Sequence, residues 1–259
     1  MMLFIYKVLE AMWFIQPEKN YAPEMPWGRT DESECMSWQV RVRDYNTAGA
    51  NALFIVVFCI YMIFFYSLLF FASDYYSNWL AVATCIGFFV STFALMGMTH
   101  QTSIIVYRLT DKGYEKISWK PQIDAVKPVM KWTAIVSGVA VFVASLYDPS
   151  FLLGLVGPAG FGLMALLMGN SKGYQELVRN AQHETYDWDE VEEIAYWGKR
   201  RLVGLKMSYE SDEGDPYSIY QKLYFKRDNM ADCLSFIRQK ASSVEYVERK
   251  LNVYESFAT

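Results

Sequence analysis

Apolar positions along this chain fall into long blocks instead of being spread evenly. From Tyr45 to Ser73 no residue is charged, and the centre of that run reads "LFIVVFCIYMIFFYSLLFF". A helix needs about 20 such residues to cross the hydrocarbon core of a bilayer, so the pattern predicts a first transmembrane helix over 50–72. A second uncharged run, "SNWLAVATCIGFFVSTFALMGM", predicts another over 77–98. "WTAIVSGVAVFVASLY", between Lys131 and Asp148, is shorter, about 24 Å at ~1.5 Å per residue. It is read as a short span that Met130 extends and from which Lys131 snorkels. "PSFLLGLVGPAGFGLMALLMG", over 149–169, completes a set of four.

Elsewhere the pattern shortens to a period of two. "SIIVYRLT", "DKG" and "YEKISW" (103–119) read as a β-hairpin, with Gly113 supplying a turn that favours positive φ. Two strands alone are not stable in water, so the hairpin needs partners. The strand-rich sequence after the fourth block offers "DEVEEIAYW", "RLVGLKMSY" and "YSIYQKLYF". In these, Val203, Leu205, Met207 and Tyr209 fall on one face, as do Tyr217, Ile219, Leu223 and Phe225. "WQVRVRD" (38–44) is a candidate edge strand. "SKGYQELVRNAQHE" predicts a helix running on from the fourth span. "RDNMADCLSFIRQKA" predicts one capped by Asp228 or Asn229, with Met230, Leu234, Ile237 and Ala241 as its apolar stripe. "SSVEYVERKLN" predicts a last helix, with Ser242 and Glu245 as a capping box.

The expected fold is therefore an α-helical membrane protein: four transmembrane helices in two hairpins, plus a small α+β domain assembled from two chain segments. Its divisions are an N-terminal region with an interfacial helix (1–49), a first membrane hairpin (50–98), a β-hairpin and linker (99–129), a second membrane hairpin (130–169) and the α+β domain (170–259). In the N-terminal region Lys7 and Glu10 share one helical face. Arg108, Lys112, Lys116, Lys120 and Lys127 lie in the central connection, and Lys172 and Arg179 follow the last span, while the two tight turns carry no basic residue. The positive-inside rule then places both termini in the cytoplasm, as a multi-pass protein of a bacterial inner membrane.

"YRLTDKGYE", then "WDEVEEI", then "KLYF" followed by an amphipathic helix resemble, in that order, bacterial membrane proteins with a cytoplasmic pleckstrin-homology-like domain. The resemblance covers about a third of the chain and departs from the family where a second membrane hairpin separates the "LTDKG" hairpin from Trp188. It implies a small curved sheet capped by a helix, serving recognition or assembly, and carries over no ligand-binding residues.

Charge and chemistry narrow the function. A formal net charge of −4 argues against a nucleic-acid partner. Cys35, Cys59, Cys85 and Cys233 have no paired spacing and read as packing residues. His183 and Asp187, four apart, would share a helical face and with Glu184 could approach a metal, but no further ligand follows at regular spacing, and a solvated acidic rim is the simpler reading. His100 reads as interfacial. No phosphate loop, nucleophile elbow or zinc-protease motif occurs, so neither catalytic residues nor a cofactor are assigned. The span cores carry no ionisable residue, which counts against a pump.

Small residues at helix-packing intervals stand out instead: Ala83, Gly87 and Ser91 on the second span, and Gly154, Gly157 and Gly160 with a kinking Pro158 on the fourth. Lys199, Arg200 and Arg201 form the compact basic cluster, a candidate partner contact. These features point to a non-enzymatic membrane scaffold in a homo- or hetero-oligomeric complex, whose only other expected partner is the lipid bilayer. The alternative is a channel or transporter with a path along the kinked fourth helix. A third reading is an interfacial lipid-modifying enzyme.

Overall fold

The computed structural model describes residues 19–71, 78–122, 170–210 and 214–251, with positions 124, 135, 145, 146 and 167. Its strands form two sheets. Sheet A is the antiparallel series β1 (Met36–Val42), β2 (Ser103–Leu109), β3 (Gly113–Trp119) and β4 (Gln182–Asp187), in that spatial order. Sheet B has the order β7-β6-β5-β8, from β5 (Val191–Trp197), β6 (Leu202–Glu210), β7 (Pro216–Tyr224) and β8 (Glu245–Glu248). Strand β8 runs parallel to β5; the other neighbours are antiparallel. The principal helices are α1 (Thr47–Phe71), α2 (Asn78–Thr99), α3 (Lys172–Arg179) and α4 (Met230–Lys240).

The four-helix membrane fold expected from the apolar blocks is overturned. The described chain holds two four-stranded sheets, and one helix among the described residues, over Thr47–Phe70, is long and apolar enough to cross a membrane. The third and fourth spans and the N-terminal helix lie outside the described residues. The second span coincides with α2, many of whose side chains also lie outside them. A multi-pass inner-membrane protein is accordingly not what the described chain establishes.

Residues Arg43–Thr102, with α1 and α2, form one compact unit. Within it Phe58 and Phe65 of α1 meet Phe88 of α2, with ring centroids 5.8 and 5.4 Å apart. Ile55, Val56, Ile60, Ile63, Phe64, Tyr66 and Phe70 are exposed on α1, an apolar surface that water does not favour and lipid does.

The two sheets belong to the other unit, where they face each other. Alternation along β2 sends Ile105, Tyr107 and Leu109 to one face, and along β6 it sends Val203, Leu205 and Met207; all six are essentially inaccessible. A clasp joins the layers. Trp38 stacks between Tyr107 (4.9 Å) and Phe225 (5.2 Å) and donates Nε1–H to the Tyr224 carbonyl at 2.8 Å. The Tyr107 hydroxyl donates to the Lys222 carbonyl at 3.0 Å. Trp188, in the single turn between β4 and β5, packs on Tyr114 and on Phe236 of α4, and its indole donates to the Thr110 carbonyl. Helix α4 buries Cys233 and Ile237 against this core.

Several local expectations are corrected. The central hairpin does not join the three C-terminal strands; its sheet partners are β1 and β4. The helix starting at Lys172 stops at Arg179 because Asn180 turns left-handed (φ 44°) as its C-cap, and Gln182–Asp187 continue as strand. Ser242 and Glu245 do not form a capping box: Glu245–Glu248 alternate as β8 beside β5. Gly113 does not have positive φ. A Cβ there would lie 2.0 Å from the Tyr186 carbonyl oxygen, so close backbone approach of β4 is what requires glycine.

This contact gives a direct test. Gly113→Ala should destabilise the sheet unit by about 3 kcal/mol or more, read as a lower urea midpoint. Gly173→Ala, with nothing within 4 Å of the added carbon, should be neutral or stabilising by about 0.5–1 kcal/mol.

Candidate functional site

The charged residues of sheet A gather where β2 and β3 pair Arg108 with Glu115. Alternation places Ile104, Val106 and Arg108 on one face with Glu115 and Ile117, and a strap of residues 19–35 covers that face. Glu115 is completely buried. Its carboxylate accepts from the backbone N–H of Gly28 (2.7 Å) and of Arg29 (3.0 Å), from Arg108 Nη1 (3.3 Å) and from His183 Nε2 (2.9 Å). Arg108 in turn donates to the carbonyls of Arg29 (2.9 Å) and Glu32 (2.6 Å). Gln39 extends the pattern, accepting from Tyr21 N and donating to Lys19 O. Sheet side chains thus hold the strap by its backbone, while Ala22, Tyr21, Met25 and Trp27 pack on Ile104, Val106 and Trp119.

Burial by itself pushes the Glu115 carboxyl up, but the Gly28 amide, the His183 ring and the Arg29 amide outweigh it and hold the group below the usual glutamate value. All of its acceptor capacity is committed to structure. On the opposite face of β4, Glu184 accepts from Lys116 Nζ at 3.0 Å and from the Tyr186 hydroxyl. Burial and then this carboxylate push the Tyr186 phenol well up, so it stays protonated.

The metal reading of His183, Glu184 and Asp187 depended on a helix. On strand β4, His183 and Asp187 are separated by about 13 Å at ~3.3 Å per residue, and Glu184 faces the other way. His183 is engaged with Glu115 and Asp187 with Arg29. No cluster of metal-ligating residues occurs among the described residues. Burial pushes the Cys233 thiol up to about 11, as expected of a packing cysteine.

The basic cluster becomes larger in three dimensions than in sequence. Lys199 and Arg200 lie in the single turn Gly198–Arg200 between β5 and β6, and Arg201 closes it in the left-handed region (φ 51°). The Arg201 carbonyl accepts from Phe225 N at 3.0 Å, which fastens this turn to the segment leaving β7. That segment reads "FKRDN", so the backbone positions of Lys226 and Arg227 directly follow the residue bonded to Arg201. Lys199, Arg201, Lys226 and Arg227 are exposed, and none has a carboxylate partner within 4.0 Å among the described residues. Arg200 lies over the Trp197 ring at 5.6 Å. Lys226 and Arg227 were missed in the sequence because they lie far along the chain from "GKRR"; the signal was that two strand ends must meet where an antiparallel pair begins, here Leu202 opposite Tyr224.

Of the small-residue seams, Gly87 faces Phe65 of α1, with 3.6 Å from a built Cβ to the ring, so it serves the α1–α2 contact. Ser91 donates to the Phe88 carbonyl of its own helix. The Ala83 side chain and residues Gly154, Gly157, Pro158 and Gly160 lie outside the described residues.

Glu115→Gln turns an amide N–H toward groups that already donate, and should cost about 3 kcal/mol. The carboxylate's contribution is complete above about pH 4.5, the usual value, and is lost as pH falls through its lower folded value. Urea midpoints of the wild type measured down through that window should fall more steeply than those of Glu115→Gln. Comparison with known proteins gives no match among family models, curated proteins or solved structures.

Proposed function

We propose that this protein is a non-enzymatic, membrane-anchored scaffold whose two-sheet unit recruits or organises partner proteins at the cytoplasmic face of a bacterial inner membrane. The observation that carries the reading is the pairing of Val42 with Ser103. These residues end β1 and begin β2, and everything between them is the helical unit and its links, residues 43–46 and 100–102. A sheet that closes across an apolar helical hairpin fixes the folded unit to that hairpin at two points. On this reading α1 lies in the bilayer and α2 is its return leg.

Two further features support a display role. The buried Arg108, Glu115 and Lys116 of sheet A are spent on the strap and on neighbouring side chains, which is structural use. Helix α4 covers a sheet that follows the central hairpin in the chain, and on this reading the two serve the recognition or assembly role that the motif resemblance implies.

Mild-detergent solubilisation followed by size exclusion with light scattering tests this. The protein mass of the particle should exceed the 30.0 kDa of one chain, as a whole multiple or with a second polypeptide present. A single-chain particle that conducts solute in proteoliposomes would support the channel reading instead, and lipid turnover by the purified chain would support the enzyme reading.

A further inference from the structure

We propose that the basic corner formed by Lys199, Arg201, Lys226 and Arg227 docks on the anionic lipid head groups of the membrane that holds the chain; this rests on the membrane-anchored reading above. The chain as a whole is acidic, with 28 Asp and Glu against 24 Lys and Arg. Its sheet unit nevertheless collects five basic residues, counting Arg200, on two turns joined by the Phe225–Arg201 hydrogen bond. The segments "GKRR" and "FKRD" contain one carboxylate, Asp228, and it makes no ion pair with its neighbours.

Several other cations in the same unit do meet a carboxylate. Arg29 meets Asp187, Lys116 meets Glu184, Lys240 meets Asp111 and Arg249 meets Glu193. Four exposed cations with no carboxylate within 4.0 Å among the described residues repel one another, a cost that interleaved acids normally relieve in a folded domain. An external anion relieves it as well.

The form of the corner selects the kind of anion. The cations are exposed on two short connections between strands and helix. Such an exposed cluster matches a diffuse plane of negative charge better than one shaped ligand. Each cation near an anionic leaflet favours the docked state by about fivefold, and the effect fades within a Debye length of about 8 Å at physiological salt. The tether keeps the sheet unit near the leaflet, since residues 43–46 and 100–102 link it to the helices by only a few residues each. Trp197, half-buried beneath Arg200, is of the residue type that settles at the head-group level.

The test is amine footprinting of the full chain in nanodiscs. Lys199 and Lys226 are modified with an N-hydroxysuccinimide ester in discs of phosphatidylcholine alone and in discs of phosphatidylcholine with phosphatidylglycerol. Lys112, 72 % exposed in the β2–β3 turn, is the internal control. Modification of Lys199 and Lys226 should drop at least fivefold in anionic discs at low salt and recover in 0.5 M sodium chloride, about the range over which surface charge is screened. Lys112 should not change. The double variant Arg201→Gln, Arg227→Gln should lose the protection while keeping its urea midpoint. Equal modification in both lipids would overturn the proposal, and so would equal protection in both, since protection by anionic head groups must depend on their charge. Failure of the chain to enter nanodiscs at all would instead count against the membrane anchor.

Discussion

A carboxylate with no exposed surface must recover from protein donors what it gives up in water, and Glu115 does so from four directions. Two donors are backbone amides of the strap, one is its cross-strand neighbour Arg108 and one comes from β4. A single group therefore ties the covering segment, the central hairpin and the edge strand together. Its geometry also explains why the strap needs no regular structure beyond the single 3-10 turn Ala22–Glu24. Gln39, Glu115 and Arg108 satisfy the backbone groups that a helix or strand would have satisfied internally. Gly28 suits this role: a Cβ there would sit 3.4 Å from Glu115 Oε2.

The opposite face of sheet A is organised on different terms. Trp38, Tyr107 and Phe225 form an aromatic stack whose polar tips are used on sheet B carbonyls, so area burial and hydrogen bonding act at the same place. The two faces divide the work. One secures a segment by charge and backbone recognition, and the other joins two layers by aromatic burial.

Much of this was legible in the sequence. The two-residue alternation of Val203, Leu205, Met207 and Tyr209 appears in the register of β6, and "SIIVYRLT" with "YEKISW" pairs as a hairpin. The α4 stripe holds at Ile237 and Ala241. What failed depended on distance along the chain. "QHETYD" is too polar to signal a strand; it is one because β3 offers an edge, and the chain between them gives no hint of that. "EYVE" is short enough for helix and strand patterns to coincide, and parallel pairing with β5 decided it. Arg108 and Glu115 read as surface charges because the strap that buries them is irregular. Counting apolar blocks weighted the helices over the sheets, although Met36–Val42 and Gln182–Asp187 complete half of sheet A. The candidate site was half visible, since "GKRR" stands out while its partners arrive 25 positions later.

Sheet A is threaded from pieces scattered along the sequence: β1 waits for β2 across the helices, and β3 at 113–119 waits for β4 at 182–187. During synthesis the ribosome must therefore deliver the whole of residues 120–181 before Glu115 meets its histidine or Gly113 its neighbouring carbonyl. Until then the free side of β3 is a raw edge, and an emerging chain in that condition needs a chaperone or rapid passage through this interval to avoid pairing with the wrong strand.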